Sequence, residues 1–261
     1  MPQLDDIRIP EAGSFRFDGR VAIVTGAGKN VGAAIARELH AGGARVAVTD
    51  ANADWARETA RALDPSGATA LAFELDVREV AHFEAARDAI LAEWGALDIV
   101  VNNAGWAKRT PVEEITPEEF DAVMQVNMRS VFLSCQCFAP VLTGRGYGRI
   151  VNVTSLAGQN GGTVAAPHYA ASKAGANMLT KYFARYLAGT GVTVNGVCPG
   201  PIDSAKTRLS AEQVAAVEAQ VPIGRFMRLD EIAAAVALLA SDRGGFFMGA
   251  TLDMNGGLYM R

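Results

Sequence analysis

The sequence predicts an α/β fold: a single domain built on a doubly wound parallel sheet with helices on both faces. Three observations carry this reading. Short β-branched runs alternate with longer segments of helical periodicity along nearly the whole chain, and strands joined by helices run parallel. The first of those runs is apolar at successive positions, as a strand buried on both faces requires. A chain of 261 residues, half of them hydrophobic and a fifth charged, has material for one large core rather than two small ones.

The elements follow in order. Residues 21–25 form a first strand, and residues 31–40 a helix ended by Gly42-Gly43. A second strand at 45–50 precedes a helix at 53–63, which an Asp-Pro-Ser-Gly turn closes. A third strand at 70–75 and helix at 80–94 lead to a fourth strand at 97–101. Thr116-Pro117-Glu118-Glu119 has a hydroxyl cap, proline at the first position and Glu three after the cap, so a helix starts there and runs to about 142. Strands at 149–153 and 192–197 flank a helix at 169–187, helices follow at 210–220 and 230–240, and a last strand spans 250–254. Residues 1–18 read as an N-terminal arm and 19–261 as the domain.

Composition narrows the function. Formal net charge is −4 with no basic stripe, so nucleic acid is not an expected partner. No apolar run is long enough to span a bilayer, and residues 1–17 lack the apolar core of a signal peptide. Three cysteines, an odd and small number, suit a reducing cytoplasmic setting. Cys135 and Cys137 stand two apart in a helical stretch and point in different directions, so buried thiols are expected there and no metal site.

Two motifs carry chemistry. Tyr169 and Lys173 stand at i and i+4 on one helix face. An ammonium beside a phenol favours loss of the phenolic proton, which suits an acid/base group; a tyrosine packed on a lysine stem gives the same spacing. Thr25-Gly26-Ala27-Gly28-Lys29-Asn30-Val31-Gly32 lies between the first strand and first helix. Glycines there let backbone approach a pyrophosphate held at a helix N-terminus; an ordinary strand-to-helix turn is the other reading.

These motifs, taken in order, resemble those of the short-chain dehydrogenase/reductase family, with a likeness to its 3-oxoacyl reductase subgroup. The likeness runs over nearly the whole chain from Phe17. It implies a Rossmann-type sheet, a nicotinamide cofactor and oxidoreductase activity on a secondary alcohol or ketone. The glycine loop matches the family pattern except that Asn30 replaces the middle glycine, and Asn tolerates a left-handed backbone. By resemblance the cofactor contacts are Gly26, Lys29, Asn30, Val31 and Gly32 in the loop. They continue with Asp76 and Val77 at the adenine, and with Asn103, Ala104 and Gly105 after the fourth strand. Tyr169 and Lys173 complete them with Pro199, Gly200, Ile202 and Ser204, the last in place of the family's frequent threonine. The implied catalytic set is Asn127, Ser155, Tyr169 and Lys173, with Thr154 beside Ser155 a poorer match.

Asp50 ends the second strand, where an acid accepts hydrogen bonds from the ribose and repels a 2′-phosphate. This favours NAD; Lys29 pulls toward NADP, which stays possible. NADPH-dependent reduction of a 3-oxoacyl thioester, a polyol or sugar dehydrogenase, and a non-catalytic dinucleotide sensor are the alternatives. His168 is expected at the rim of the substrate site. Trp106 would either line that site or pack in the core. Lys108, Arg109, Lys206 and Arg208 are candidates to meet an anionic substrate. The resemblance also implies a homotetramer packed through the helices around 127–142 and 169–187.

Overall fold

A computed structural model describes residues 15–162 and 165–260. The strands are β1 (Val21–Val24), β2 (Arg45–Asp50), β3 (Ala70–Glu74), β4 (Ile99–Asn102), β5 (Gly148–Val153), β6 (Val192–Pro199) and β7 (Thr251–Met254). The helices between them are α1 (Asn30–Ala41), α2 (Ala53–Leu63), α3 (Val80–Trp94), α4 (Pro117–Met124), α5 (Ser130–Gly144), α6 (Ala157–Asn160), α7 (Pro167–Tyr186), α8 (Ala211–Gln220) and α9 (Leu229–Ala240).

All strand pairings are parallel, and the seven strands lie in the order β3-β2-β1-β4-β5-β6-β7. β1, β4 and most of β2 and β5 are buried throughout, which explains their continuous apolar runs. One face is covered by α3, α5 and α7, whose Phe83, Ile90, Phe138, Leu142 and Phe183 fill one core. The other is covered chiefly by α1 and α9, through Ile35, Leu39, Ile232 and Val236. The chain proceeds outward from β1 to β3, then returns and proceeds outward the other way from β4. The crevice at that reversal, beyond the carboxyl ends of β1 and β4, is where such sheets bind ligands.

Three features depart from expectation. The helix read at 116–142 is interrupted by a π turn over Gln125–Arg129 and carries Pro140 inside α5. The short α6 and a 3-10 turn at Asp203–Arg208 stand where no helix was read. Phe17, inside the stretch set apart as an arm, is 2% exposed and joins the core under α1. Its N–H donates to Gly42 O at 2.7 Å. Residues 1–14 of that arm, with Thr163, Val164 and Arg261, lie outside the described residues.

Candidate active site

The glycine loop turns tightly from β1 into α1. Gly26 has φ +61°, and a Cβ on Gly32 would stand 2.2 Å from the Gly26 carbonyl oxygen and 2.5 Å from Asn103 Nδ2. Only glycine allows that approach. Asn30 has φ 51°, and it is the one non-glycine residue with positive φ among the described residues; the backbone that the asparagine was expected to tolerate is the one it adopts. Lys29 occupies the cap position of α1 without a side-chain cap, and no acidic residue lies in the first turn. The first N–H groups of α1, Val31 and Gly32 among them, therefore meet the crevice without a side-chain partner, as anion binding at a helix N-terminus requires. The cradle fits a dinucleotide pyrophosphate.

Asp50 closes the loop from the side. Its Oδ2 accepts the Gly28 N–H at 3.1 Å and its Oδ1 the Asn52 N–H at 3.0 Å. Lys29 turns its ammonium onto the Trp55 ring, 3.7 Å from the centroid. Asp76 is differently engaged: Arg78 binds both its oxygens at 2.5–3.1 Å and holds its carboxyl below the usual range. Val77 is buried behind it.

At the end of β4, Asn103 and Ala104 lock the crevice wall. Both N–H groups donate to Thr25 Oγ1 at 3.1 Å, and Asn103 Nδ2 donates to the Thr25 and Gly26 carbonyls at 2.9 and 3.0 Å. Gly105 is a spacer: a Cβ there would lie 3.3 Å from both Asn127 Oδ1 and Lys173 Nζ. Asn127 sits in the π turn and is almost fully buried. Its Oδ1 accepts the Trp106 N–H at 2.7 Å, and its Nδ2 donates to Trp106 O and Ser172 Oγ, both at 3.0 Å. It thus clamps the loop after β4 to α7.

β5 and α7 bring together the groups that the resemblance implies as catalytic. Thr154 is committed to the sheet, donating to Val197 O at 2.9 Å, which leaves Ser155 as the hydroxyl facing Tyr169. Ser155 Oγ accepts the Ala157 N–H at 3.2 Å and shares a hydrogen bond with the Tyr169 phenol. Lys173, 4% exposed, donates from Nζ to Val153 O at 2.8 Å. Burial pushes the Lys173 ammonium down to about 8. Burial also pushes the Tyr169 phenol above its ordinary value, with the Ser155 hydrogen bond drawing it partly back and buried Cys198 adding to the rise. The expected lowering of the phenol by Lys173 is not among these causes: burial, Ser155 and Cys198 set the direction.

The end of β6 completes the crevice. Pro199 O accepts the Leu156 N–H at 2.9 Å, and Gly200 N–H donates to Met254 O at 2.9 Å. Ile202 bridges to Met227, and Ser204 lies in the 3-10 turn that follows.

The surrounding residues alter several expectations. His168 is not at the rim: it is fully buried, stacked on Phe120, with Nε2 3.2 Å from Glu119 Oε1. Trp106 is not in the core but 46% exposed. Lys108 lies 3.7 Å from Glu119, and Lys206 is clamped between Asp203 and Glu218 at 3.2 and 3.0 Å. Two of the four cations suggested for an anionic substrate are thus neutralised. Arg109 is exposed, and the side chain of Arg208 lies outside what is described. The contacts that sequence reading missed, Lys29 on Trp55 and Cys198 beside the Tyr169–Lys173 pair, join segments with no shared periodicity.

Known proteins share this sequence pattern and fold. The family model adh_short_C2, described as "Enoyl-(Acyl carrier protein) reductase", matches residues 26–259. The 3-oxoacyl-(acyl-carrier-protein) reductase FabG of Escherichia coli (strain K12) is 40% identical over 247 residues, 94% of this chain and 99% of the relative. The D-threitol dehydrogenase of Mycolicibacterium smegmatis is 38% identical over 248 residues, 93% of this chain and 94% of the relative. A crystal structure of a Brucella melitensis protein titled short-chain dehydrogenase/reductase SDR:Glucose/ribitol dehydrogenase superposes with TM-score 0.85 at 29% identity, covering 95% of this chain and 99% of that one. The chain belongs to the short-chain dehydrogenase/reductase family. It is an oxidoreductase acting on CH–OH groups of small molecules with a nicotinamide cofactor.

Proposed function

We propose that the protein interconverts a secondary alcohol and a ketone with NAD(H), using Tyr169 as the acid/base. The observation that carries this reading is the meeting of Ser155, Tyr169 and Lys173 beside the glycine cradle at the carboxyl end of the sheet. When bound, the nicotinamide supplies or accepts the hydride. Tyr169 takes the proton of a substrate hydroxyl in oxidation and returns it in reduction. Ser155, already hydrogen-bonded to that phenol, holds the same substrate oxygen as charge develops on it. Lys173 spends one N–H on Val153 and has the others for the nicotinamide ribose. Asn127 fixes the loop that separates it from Lys173 and keeps one Oδ1 lone pair for a water leading outward. Gly26, Asn30, Val31 and Gly32 hold the pyrophosphate, Asp76 and Val77 border the adenine, and Pro199, Gly200, Ile202 and Ser204 border the nicotinamide.

Asp50 supports NAD over NADP. Its carboxylate is fixed by two backbone N–H groups, so a 2′-phosphate would meet an acid that cannot swing away. Titration with NADH and with NADPH, read by nicotinamide fluorescence, tests this: tighter NADH is expected, and tighter NADPH would overturn it. Asp50→Ala should shift the ratio toward NADPH by about tenfold, the order of one charge–charge contact.

A second reading, NADPH-dependent reduction of a 3-oxoacyl thioester, draws on the likeness to FabG over 94% of the chain. The pairing of Lys108 and Lys206 with acids leaves it less support, and turnover of acetoacetyl-CoA against a panel of polyols and simple secondary alcohols separates the two. A homotetramer is supported by exposed Met178, Tyr182 and Tyr186 on α7 with Phe132 on α5. A cytoplasmic setting is supported by three free cysteines.

A further inference from the structure

The loop that cradles the pyrophosphate carries a base, Lys29, beside an acid, Asp50, and the two oppose each other over a 2′-phosphate. What decides between them is whether the ammonium is free to move. Gly28 is gripped on three sides. Its N–H donates to Asp50 at 3.1 Å, its carbonyl accepts the Thr59 hydroxyl at 2.8 Å, and a Cβ on it would stand 2.7 Å from Trp55 Cβ. The Trp55 backbone is itself fixed, because Asn52 caps α2 by accepting the Asp54 and Trp55 N–H groups, each at 3.1 Å. The backbones that carry Lys29 and Trp55 are thus held side by side, and the ammonium rests 3.7 Å above the partly exposed ring. Among the described residues Lys29 makes no ion pair, not even with Asp50 across Gly28. An ammonium over an indole face is held by the ring's negative quadrupole.

We propose that Trp55 is a cofactor-specificity residue: its ring parks the Lys29 ammonium, so that the loop's one base is withheld from a 2′-phosphate and Asp50 decides the preference. The inference deepens the NAD reading and rests on it. A 2′-phosphate has to draw Lys29 off the ring before pairing with it. For a partly exposed cation–π contact this lowers NADP affinity by about two- to fivefold. Trp55→Ala removes the ring but keeps the Cβ that packs on Gly28, and the Asn52 cap is untouched. Trp55→Leu, which fills more of the space without a π face, serves if the alanine variant is poorly folded by circular dichroism.

Dissociation constants for NADH and NADPH would be measured by fluorescence for the wild type, Trp55→Ala, Trp55→Phe, Lys29→Ala and the Lys29→Ala/Trp55→Ala double variant. The expected result is an NADPH-to-NADH affinity ratio raised about two- to fivefold by Trp55→Ala, nearly unchanged by Trp55→Phe, and not raised when Lys29 is absent. An unchanged ratio with both affinities falling together would mean that Trp55 stacks on the shared adenosine moiety. A falling ratio would mean that Trp55 aims Lys29 at the phosphate. A gain that persists without Lys29 would mean that the ring acts by bulk. Each of these overturns the proposal. Failure of the underlying NAD reading is visible separately, as a wild type that prefers NADPH.

Discussion

The two ends of the parallel sheet treat their charged groups in opposite ways. At the amino ends of β1, β4 and β5, Arg20, Arg145 and Arg149 share the carboxylates of Asp98 and Asp242. Asp98, 1% exposed, accepts the Val21 N–H at 2.9 Å and faces Arg20 and Arg145 at 3.5 and 3.4 Å. Tyr147 lies under the guanidinium groups of Arg20 and Arg149 and donates to Asp242 at 2.9 Å. At the carboxyl ends, Lys173 is buried with no ion pair among the described residues, the α1 N-terminus has no side-chain cap, and Asn30 holds a left-handed backbone. One end is self-neutralised and contributes stability. The other keeps donors and a displaced lysine pKa that only a ligand can use, which is how functional sites depart from local rules.

Variants at each end should separate along this line. The largest effect is expected from Tyr169→Phe, which removes the proposed proton-transfer group and should lower kcat by about 10³-fold. NADH affinity and unfolding midpoint should stay near wild type; substantial turnover by this variant would refute the acid/base role. Asp98→Asn, at the opposite end, should do the reverse. It removes a buried carboxylate that faces two partly exposed arginines and should lower stability by about 1–2 kcal/mol in denaturant unfolding. Its kcat per folded molecule should not change, and a changed kcat would show that the two ends are coupled.

The smallest and most diagnostic effect is a pH slope. Lys173 is lowered from 10.5 to about 8 by burial. Between those values the unfolded chain holds a proton that the folded protein has released, so stability rises with pH across that window. Relative to Lys173→Met, unfolding free energy should climb from pH 8 toward pH 10 by at most ~1.4 kcal/mol per unit. Parallel curves for the two proteins would mean that Lys173 stays charged in the fold.

Local patterns made much of this legible. The alternation of buried strands and helices, the Thr116 cap that accepts the Glu119 N–H, and the helix bearing Tyr169 and Lys173 all depend on neighbours within a few residues. So does the left-handed turn at Asn30. The missed elements have long-range causes. The π turn at Gln125–Arg129 carries the Asn127 side chain that joins Trp106 to Ser172, a contact no helical period encodes. His168 looks polar and peripheral in sequence but is enclosed by Phe120 and Glu119 from α4.

By itself the sequence determined which groups are present and in what local order: a glycine turn before a helix, an acid at the end of β2, and a phenol one helical turn from an ammonium. These follow from spacing, because a helix or strand places neighbours by fixed geometry. Only the tertiary structure decided their state. Parallel pairing of β5 with β4 and β6 brings Ser155 to Tyr169 and Val153 to Lys173, and the depth of that crevice raises the phenol and lowers the ammonium. Desolvation is a property of everything packed around a group, so no run of neighbouring residues could have shown its sign.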